Sequence, residues 1–246
     1  MGAPPAPIDA AAAAAAAAAP ATPSGRPGGA WGDFLGVVNE STKFVVSAVA
    51  FATLVAFPNV QTCWCILGSV VNSINGKVLK RVLNHERPEG AVKADPGMPS
   101  SHAVSLSYLS VYAARAVAVH GASGVAVSSV VAKTLGVAVF AFPEWTTLPV
   151  AGLVMGLGLF LTWLRVALGY HTPPQVIVGY GMGAGTALAW AAAGEAWVGP
   201  ALGARPELEA GLRLALGVAV GVFALTALKW VKEAKDWARG KKAKDH

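Results

Sequence analysis

The sequence has few charged residues. Asp, Glu, Lys and Arg make up 13% of its 246 residues, whereas roughly 25% is usual in soluble domains. Hydrophobic residues make up 54%, and the mean hydropathy is +0.53. Several apolar stretches approach the roughly 20 residues with which a helix crosses a bilayer. The composition therefore predicts one integral membrane domain rather than several soluble ones.

Cysteine is also scarce. Cys63 and Cys65 lie in an apolar run, and no second pair of Cys or His residues has a spacing suited to zinc. Neither a disulfide framework nor a zinc site is therefore predicted. The formal net charge is +6, but the basic residues do not alternate with aromatic residues as they do in a nucleic-acid groove. The bilayer is the expected partner, and no nucleic-acid partner is expected.

Acidic residues are nearly absent from the first 30 positions, where ten alanines from Ala10 to Ala19 precede a stretch rich in Pro, Gly and Ser. Such low-complexity sequence cannot bury a core, which predicts a disordered N-terminal segment at 1–30. An organelle transit peptide is a further interpretation, although such peptides are usually rich in arginine and Arg26 is the single arginine here.

The remaining sequence divides by hydropathy and charge. It predicts a membrane core at 31–195, a final span within 196–231 and a basic tail at 232–246. Seven of the 19 Lys and Arg residues lie between Lys229 and Lys244. Basic residues next to a span are expected to orient the protein and to contact anionic lipid headgroups. A solvated tail without a partner is the alternative.

Apolar stretches predict an all-α bundle of about six membrane spans. The segment 123–142 is also apolar, but Lys133 interrupts it. Two polar segments described below can share one membrane face only if an even number of crossings separates them, so 123–142 is expected not to cross fully. The predicted spans are about 42–58, 60–83, 101–119, 148–168, 174–194 and 209–231.

Small residues recur at a spacing of four in the later spans. Gly179 with Gly183 is one such pair. This spacing lets helix backbones approach closely in lipid, so these faces are predicted to pack against other helices. The same pattern is found at Gly181 with Gly185 and at Gly152 with Gly156.

Three separated segments carry residues suited to chemistry. In the first, Lys80 and Arg87 are seven residues apart. Seven residues are nearly two helical turns, so both side chains can project from one face as the helix leaves the bilayer. Pro88 then limits the helix. The alternative is that these cations are ordinary interfacial anchors.

The second segment is Pro99-Ser100-Ser101-His102, which opens an apolar helix. The Ser100 hydroxyl is expected to cap this helix, whose N-terminal N–H groups favour an anion such as phosphate. His102 then lies in the first turn, where its imidazole could donate a proton. A capped helix start without a function is the alternative.

The third segment joins the fourth and fifth spans. Arg165 ends one span, and Thr172 with Pro173 begins the next. His171 is therefore expected at the N-terminal mouth of a helix, with Gln175 one turn inside it. The alternative is a solvated loop histidine and an interfacial arginine.

Together the three segments resemble the type 2 phosphatidate phosphatase superfamily, also called the lipid phosphate phosphatases. The pattern of that family is Lys-x6-Arg-Pro, then Pro-Ser-Gly-His, then Ser-Arg-x5-His-x3-Asp. The resemblance covers about residues 42–195 and implies a core similar to the phosphatase/vanadium haloperoxidase helical fold. The matching residues are Lys80, Arg87, Pro88, Pro99, Ser100, His102, Arg165 and His171.

The resemblance also implies a mechanism. His171 would attack phosphorus and form a phosphohistidine, while His102 would protonate the departing oxygen. Because three cations and a helix N-terminus neutralise the phosphate charge, no metal and no other cofactor is expected. The residues implied to bind the substrate phosphate are Lys80, Arg87, Ser100, Ser101 and Arg165.

Three positions depart from the family pattern. Ser101 replaces a glycine, Leu164 replaces a serine and Gln175 replaces the final aspartate. Pro-Ser-Ser-His together with His-x3-Gln is similar to the branch that holds the plastid-type epsilon lipid phosphate phosphatases and the dolichyl diphosphate phosphatases. Thr162 and Trp163, which precede the Leu-Arg pair, favour the plastid type.

The glutamine bears directly on the implied mechanism. The amide oxygen of Gln175 can accept a hydrogen bond from His171 but carries no charge, so the imidazole would be oriented and less strongly activated. Our preferred hypothesis is that this branch works without the carboxylate. The alternative is that Glu86 or Asp95 takes its place.

The resemblance implies hydrolysis of a membrane lipid phosphate, with phosphatidate to diacylglycerol as the first expectation. Hydrolysis of a polyprenyl diphosphate is one alternative, and a catalytically impaired membrane scaffold or lipid binder is another. The plastid envelope is the expected location, with the endoplasmic reticulum as the alternative. Three histidines match no motif and are expected at the surface or interface: His85, His120 and His246.

Overall fold

The computed structural model describes residues 28–57, 59–87, 95–121 and 143–242. All regular structure in these ranges is helical, which confirms the predicted all-α fold. The helices are α1 (Gly29–Ala56), α2 (Val60–Leu83), α3 (Ser101–His120), α4 (Thr147–Ala167), α5 (Pro173–Ala193), α6 (Gly199–Ala204) and α7 (Glu207–Lys242). A 3-10 turn, Glu144–Thr146, precedes α4, and a π-helical turn, Gly194–Val198, joins α5 to α6.

Local signals explain where α2 begins and ends. The Asn59 side chain accepts a hydrogen bond of 2.8 Å from the Thr62 backbone N–H, which caps the helix N-terminus. At the other end Asn84 adopts a left-handed conformation with φ of 39°. Asparagine tolerates this conformation better than most residues, and it terminates the helix.

Within the described residues, three helices are long and apolar enough to cross a membrane: Gly29–Ala56, Glu144–Ala167 and the continuous stretch Pro173–Ala204. Helices occupy all six predicted span positions, but the count of six membrane crossings stays a prediction. The segment 123–142 and the proposed disorder of residues 1–27 lie outside the described residues.

The bounds of two helices differ from the predicted spans. The first begins at Gly29, well before position 42, because the polar run from Asn39 to Lys43 does not interrupt the helix. The last continues to Lys242, so helical backbone extends beyond position 231 and into the predicted basic tail.

Helix α3 occupies the centre of the bundle and packs against α2, α4 and α5. Its contact with α5 depends on two glycines. A methyl group at Gly179 would lie 2.9 Å from the Ser100 carbonyl oxygen, and one at Gly183 would collide with Val104 and Ser107. The predicted close approach is therefore found at this pair. At the other four glycines of the pattern, no heavy atom of the described part of the chain is near enough to meet an added methyl group: Gly152, Gly156, Gly181 and Gly185.

Helices α2 and α5 are joined by a pair of tryptophans. The indole N–H of Trp64 donates to the Trp190 carbonyl oxygen, and the indole N–H of Trp190 donates to the Trp64 carbonyl oxygen, both at 2.8 Å. The two rings stack with centroids 4.3 Å apart. Each indole therefore satisfies its donor on the backbone of the other helix.

Candidate active site

Four helix ends meet at one end of the bundle. They are the C-termini of α2 and α4 and the N-termini of α3 and α5. The Ser100 backbone N–H donates to the Gln175 carbonyl oxygen at 3.1 Å, which ties the start of α3 to the first turn of α5. Six polar or charged side chains are buried here: Asn39, Lys80, Ser100, Arg165, His171 and Gln175.

The His171 ring is held from both sides. Its Nε2 atom lies 3.2 Å from Arg87 Nη1, and its Nδ1 atom lies 3.1 Å from Gln175 Oε1. A guanidinium group can only donate, so Nε2 accepts from Arg87 and Nδ1 carries the proton that it donates to Gln175. His171 is therefore a neutral imidazole with its Nε2 lone pair directed at a cation.

The surroundings of His171 also favour the neutral ring. Burial lowers the pKa of His171, and the positive charges of Arg87 and Arg165 lower it further. The hydrogen bond to Gln175 acts in the opposite direction, and the resulting pKa is about 3. The imidazole is consequently uncharged at neutral pH, which is the state that a nucleophile requires.

Gln175 is fully buried and uses both ends of its amide. Its Oε1 atom accepts from His171 Nδ1 and from the Thr172 backbone N–H, each at 3.1 Å. Its Nε2 atom donates to the Glu86 carbonyl oxygen at 2.6 Å and lies 3.2 Å from His85 Nδ1. This amide joins the start of α5 to the chain that leaves α2.

Lys80 and Arg87 are brought together by a carboxylate that lies between them. Lys80 Nζ pairs with Asp95 Oδ2, and Arg87 Nη2 pairs with Asp95 Oδ1 at 2.9 Å. Arg87 also donates from Nε to the Asp95 carbonyl oxygen at 2.9 Å and from Nη1 to the Tyr170 carbonyl oxygen at 3.1 Å. The cationic side chains are 10% and 7% exposed, whereas that of Asp95 is 49% exposed.

The charge of Asp95 is stabilised by this pairing. Partial burial raises the pKa of the Asp95 carboxyl, but the hydrogen bonds and charges of Lys80 and Arg87 together outweigh burial and lower it below its usual value. Asp95 is therefore ionised at neutral pH. It pairs with two of the three predicted phosphate-binding cations and offsets one of their two positive charges.

Arg165 is held by residues that occupy no position of the sequence motifs. It is 3% exposed, and its Nη1 atom donates to Asn39 Oδ1 at 2.8 Å. The Tyr170 ring covers the guanidinium, with the ring centroid 4.2 Å from Cζ. The Tyr170 hydroxyl in turn donates to Glu40 Oε1 at 3.2 Å. Helix α1 thus forms one wall of the site.

The structure modifies one expectation for the Pro99–His102 turn. Ser100 is the N-cap residue of α3, but its hydroxyl does not cap the helix. The hydroxyl is buried and has no hydrogen-bond partner among the described residues. Its backbone N–H is already used by Gln175. Ser101 is exposed as the first helical residue, and His102 is half-buried in the first turn.

Sequence reasoning missed several contributors to the site. Asn39 and Glu40 lie in a polar run that lowered the hydropathy of α1, and that run was the available signal. Tyr170 adjoins His171 but belongs to no motif position. His85 is exposed, as expected, yet it also contacts Gln175. Glu86 contributes its backbone carbonyl to the site, a role that no side-chain pattern reveals.

The described residues contain no group of three or more His, Cys, Asp or Glu side chains placed to hold a metal ion. The charged groups that converge here are the cations Lys80, Arg87 and Arg165 and the carboxylate of Asp95, with the carboxylate of Glu40 behind Tyr170. Such an arrangement can bind an anion with several oxygens next to a neutral imidazole.

No family model matches the chain. Two curated relatives from Arabidopsis thaliana do match it. Lipid phosphate phosphatase epsilon 2, chloroplastic, is 31% identical over 203 residues, which are 80% of this chain and 62% of the relative. Lipid phosphate phosphatase epsilon 1, chloroplastic, is 36% identical over 156 residues, which are 63% of this chain and 48% of the relative. These similarities support the type 2 phosphatidate phosphatase superfamily that the sequence motifs indicated. The chain spans less than two thirds of the length of either relative.

A solved structure is similar to this chain in its fold. The crystal structure of a transmembrane PAP2 type phosphatidylglycerolphosphate phosphatase from Bacillus subtilis has a TM-score of 0.50 and is 15% identical. The similarity covers 77% of this chain and 88% of that chain. The predicted membrane phosphatase fold is therefore confirmed. Both plant relatives are of the epsilon type, one of the two types in the branch that the Pro-Ser-Ser-His and His-x3-Gln patterns indicated.

Proposed function

We propose that this protein hydrolyses a membrane lipid phosphate, with phosphatidate as the leading substrate and diacylglycerol as its product. The observation that carries the proposal is the neutral His171 ring, whose Nε2 lone pair faces Arg87 while Nδ1 donates to Gln175. A nucleophilic nitrogen beside buried cations is the arrangement that attack on a phosphate monoester needs. The names of the two plant relatives support the same class of reaction.

In the proposed reaction the phosphate enters between Arg87 and His171. Nε2 of His171 forms a bond to phosphorus as the bond from phosphorus to the lipid oxygen breaks. His102 gives its proton to that oxygen, so the product leaves as an alcohol. Lys80, Arg87 and Arg165 hold the phosphoryl oxygens, over which the negative charge spreads during transfer.

Water completes the proposed cycle. It attacks the phosphohistidine, the bond between nitrogen and phosphorus breaks, and inorganic phosphate is released. His102, deprotonated by the first step, accepts the proton of the attacking water. His171 returns to its neutral form, in which Nδ1 still donates to Gln175.

Gln175 acts in this scheme by orientation. Its oxygen keeps the proton on Nδ1, so that Nε2 presents its lone pair. A carboxylate would also stabilise the positive charge that the ring gains when Nε2 bonds to phosphorus, whereas the amide supplies only its dipole. The proposed enzyme therefore relies more on fixed geometry than on charge at this position.

In the proposed reaction, phosphate binding must displace the Asp95 carboxylate from Lys80 and Arg87. The variant Asp95→Asn is therefore expected to bind inorganic phosphate about three- to ten-fold more tightly than the wild type. Without phosphate this variant should melt at a lower temperature, because the two buried cations then repel each other unscreened. Both effects can be read from melting curves of the purified protein at increasing phosphate concentrations. Asp33→Asn, which removes an exposed carboxylate of α1, is the matched control. Weaker phosphate binding by Asp95→Asn would mean that the carboxylate organises the cations and does not compete for them.

The proposed activity is tested with washed membranes or detergent-purified full chain in an excess of metal chelator. Phosphate release is measured from phosphatidate, from a polyprenyl diphosphate and from water-soluble glycerol phosphate. Release from phosphatidate that persists in chelator supports the proposal. Preference for the polyprenyl diphosphate would replace the proposed substrate, and no release from any of them would favour a scaffold or lipid-binding role.

The same resemblance supports a proposed location in the plastid envelope. The two relatives are named chloroplastic, which favours this location over the endoplasmic reticulum. Imaging the tagged full chain together with markers of both membranes separates the two.

A further inference from the structure

Helix α1 contains a polar run, from Asn39 to Lys43, of a kind that is uncommon within a membrane helix. Asn39 is 2% exposed and Thr42 is 7% exposed. They continue the buried stripe of Gly32, Leu35 and Gly36 toward the bundle. Polar side chains at membrane depth are costly unless they find partners, so a buried asparagine here points to a specific contact.

That contact is the guanidinium of Arg165. Asn39 Oδ1 accepts from Arg165 Nη1 at 2.8 Å, which fixes one edge of the planar group. The next residue of α1, Glu40, accepts from the Tyr170 hydroxyl, and the Tyr170 ring covers the guanidinium face. Two consecutive residues of α1 therefore restrict Arg165 at an edge and, through Tyr170, at a face. None of the three motif segments includes α1.

Two donors in this contact have spare capacity. Asn39 Nδ2 and Arg165 Nε are buried and have no hydrogen-bond partner among the described residues. Buried donors are usually satisfied, and an unpaired one is costly. An oxygen-rich anion that bound at Arg165 could accept from both.

We infer that Asn39 is a positioning residue: its uncharged amide oxygen holds the Arg165 guanidinium in the orientation that binds the substrate phosphate. This inference rests on the proposed function. The contrast with the other two cations gives the reason. Lys80 and Arg87 are paired with the Asp95 carboxylate, which cancels much of their charge until it is displaced. Asn39 orients Arg165 without a formal charge, and the nearby Glu40 carboxylate bonds to the Tyr170 hydroxyl rather than to the guanidinium. Among the described residues no carboxylate therefore pairs directly with Arg165.

Asn39→Asp separates this role from a merely structural one. A carboxylate of nearly the same shape should form a stronger, charge-assisted bond to Arg165 and preserve the fold. It should also cancel the charge that the phosphate needs and repel the incoming anion. If Asn39 only stabilised the fold, phosphate binding would survive this change. If Asn39 positions Arg165 as an uncharged acceptor, phosphate binding would be weakened.

The experiment uses the full chain, purified in detergent, as wild type, Asn39→Asp, Asn39→Ala and Thr42→Val. Thr42 is the matched control, because it is buried on the same stripe and its hydroxyl bonds to the Val38 carbonyl oxygen of its own helix. Melting temperatures without and with inorganic phosphate report fold and anion binding. Values of kcat and KM for phosphatidate report function.

We expect Asn39→Asp to melt at or above the wild-type temperature without phosphate, to bind phosphate about ten-fold or more weakly, and to have a KM raised by a similar factor. Asn39→Ala should lower kcat/KM by about ten- to hundred-fold, since it removes a hydrogen bond to a charged group. Thr42→Val should match the wild type in phosphate binding and kinetics.

Several results would overturn the inference. One is an Asn39→Asp protein that binds phosphate and turns over like the wild type, and another is one that fails to fold. If the wild type releases phosphate while Asn39→Asp is normal, the inference alone fails. If the wild type neither binds nor releases phosphate, the proposed function fails and the inference fails with it.

Discussion

Replacing His171 with alanine is expected to abolish phosphate release, with kcat at least about a thousand-fold lower. The substitution removes the Nε2 atom that forms the bond to phosphorus in the proposed reaction, and neither side chain that holds the His171 ring can take its place. Arg87 only donates, and Gln175 lacks a basic nitrogen. The measurement is phosphate release from phosphatidate by the purified variant in excess chelator.

The variant also needs evidence that it still folds and binds. His171→Ala should keep inorganic phosphate binding, because Lys80, Arg87 and Arg165 remain. His120→Ala is the control: this histidine lies at the far end of α3, where it contacts Gln61 at 3.2 Å, and its loss should leave turnover unchanged. Turnover by His171→Ala within a few-fold of the wild type would remove His171 from the nucleophile role.

The second large effect is expected for Gln175→Glu. The change restores a carboxylate to the position where the family pattern has one, and yet it should lower turnover about ten- to hundred-fold and reduce the melting temperature. The reason is the 2.6 Å hydrogen bond from Gln175 Nε2 to the Glu86 carbonyl oxygen. A carboxylate places an acceptor against that acceptor, and leaving a buried group unsatisfied costs about 1–3 kcal/mol.

Protonation offers Gln175→Glu no advantage. A protonated glutamate can donate to the Glu86 carbonyl, but it then carries no charge to stabilise the His171 ring. Gln61→Glu is the matched control, because Gln61 is the other glutamine of the chain and is exposed. Kinetics and melting curves of both variants give the comparison. Higher turnover by Gln175→Glu than by the wild type would show that the missing carboxylate limits this enzyme.

These contacts bear on which acid, if any, replaces the motif aspartate. Among the described residues the side-chain contacts of Asp95 are with Lys80 and Arg87, and the contact of Glu86 with Gln175 is through its backbone. Neither arrangement is that of a carboxylate that orients His171. This supports our hypothesis that the branch works without one. Loss of turnover in Asp95→Asn combined with normal turnover in Gln175→Ala would contradict it.

Much of the fold could be predicted because its signals are local. The bounds of α2 follow from Asn59 before the first turn and Asn84 after the last, and the start of α5 follows from Thr172 and Pro173. The start of helix α1 was predicted too far along the sequence. Hydropathy is averaged over a window of residues and cannot show that Asn39 faces a buried arginine. Membrane burial of a polar residue depends on its partner, which is 126 residues away in sequence.

The candidate site, like the fold, could be predicted from the sequence only in part. The motif spacing predicted that Lys80, Arg87, Arg165 and His171 belong to the site. This was possible because the charge or basicity of each side chain follows from its residue type. The position of Asp95 between two cations could not be predicted, since it depends on how the chain returns after α2. The hydrogen bonding of Ser100 could not be predicted either. Its backbone N–H bonds to Gln175 of the neighbouring helix, whereas its hydroxyl has no partner among the described residues.

The tryptophan pair of α2 and α5 has a mechanical consequence. Trp64 lies about 24 Å along α2 from Lys80, and Trp190 lies about 22 Å along α5 from Gln175, at 1.5 Å per residue. Two reciprocal hydrogen bonds and a ring stack fasten the helices at that distance from the site. The hydrogen bond from Gln175 Nε2 to the Glu86 carbonyl oxygen fastens α5 to the chain that leaves α2 at the site end. The pair of helices is therefore held at both ends, and the tryptophans keep their spacing fixed at the end away from the site.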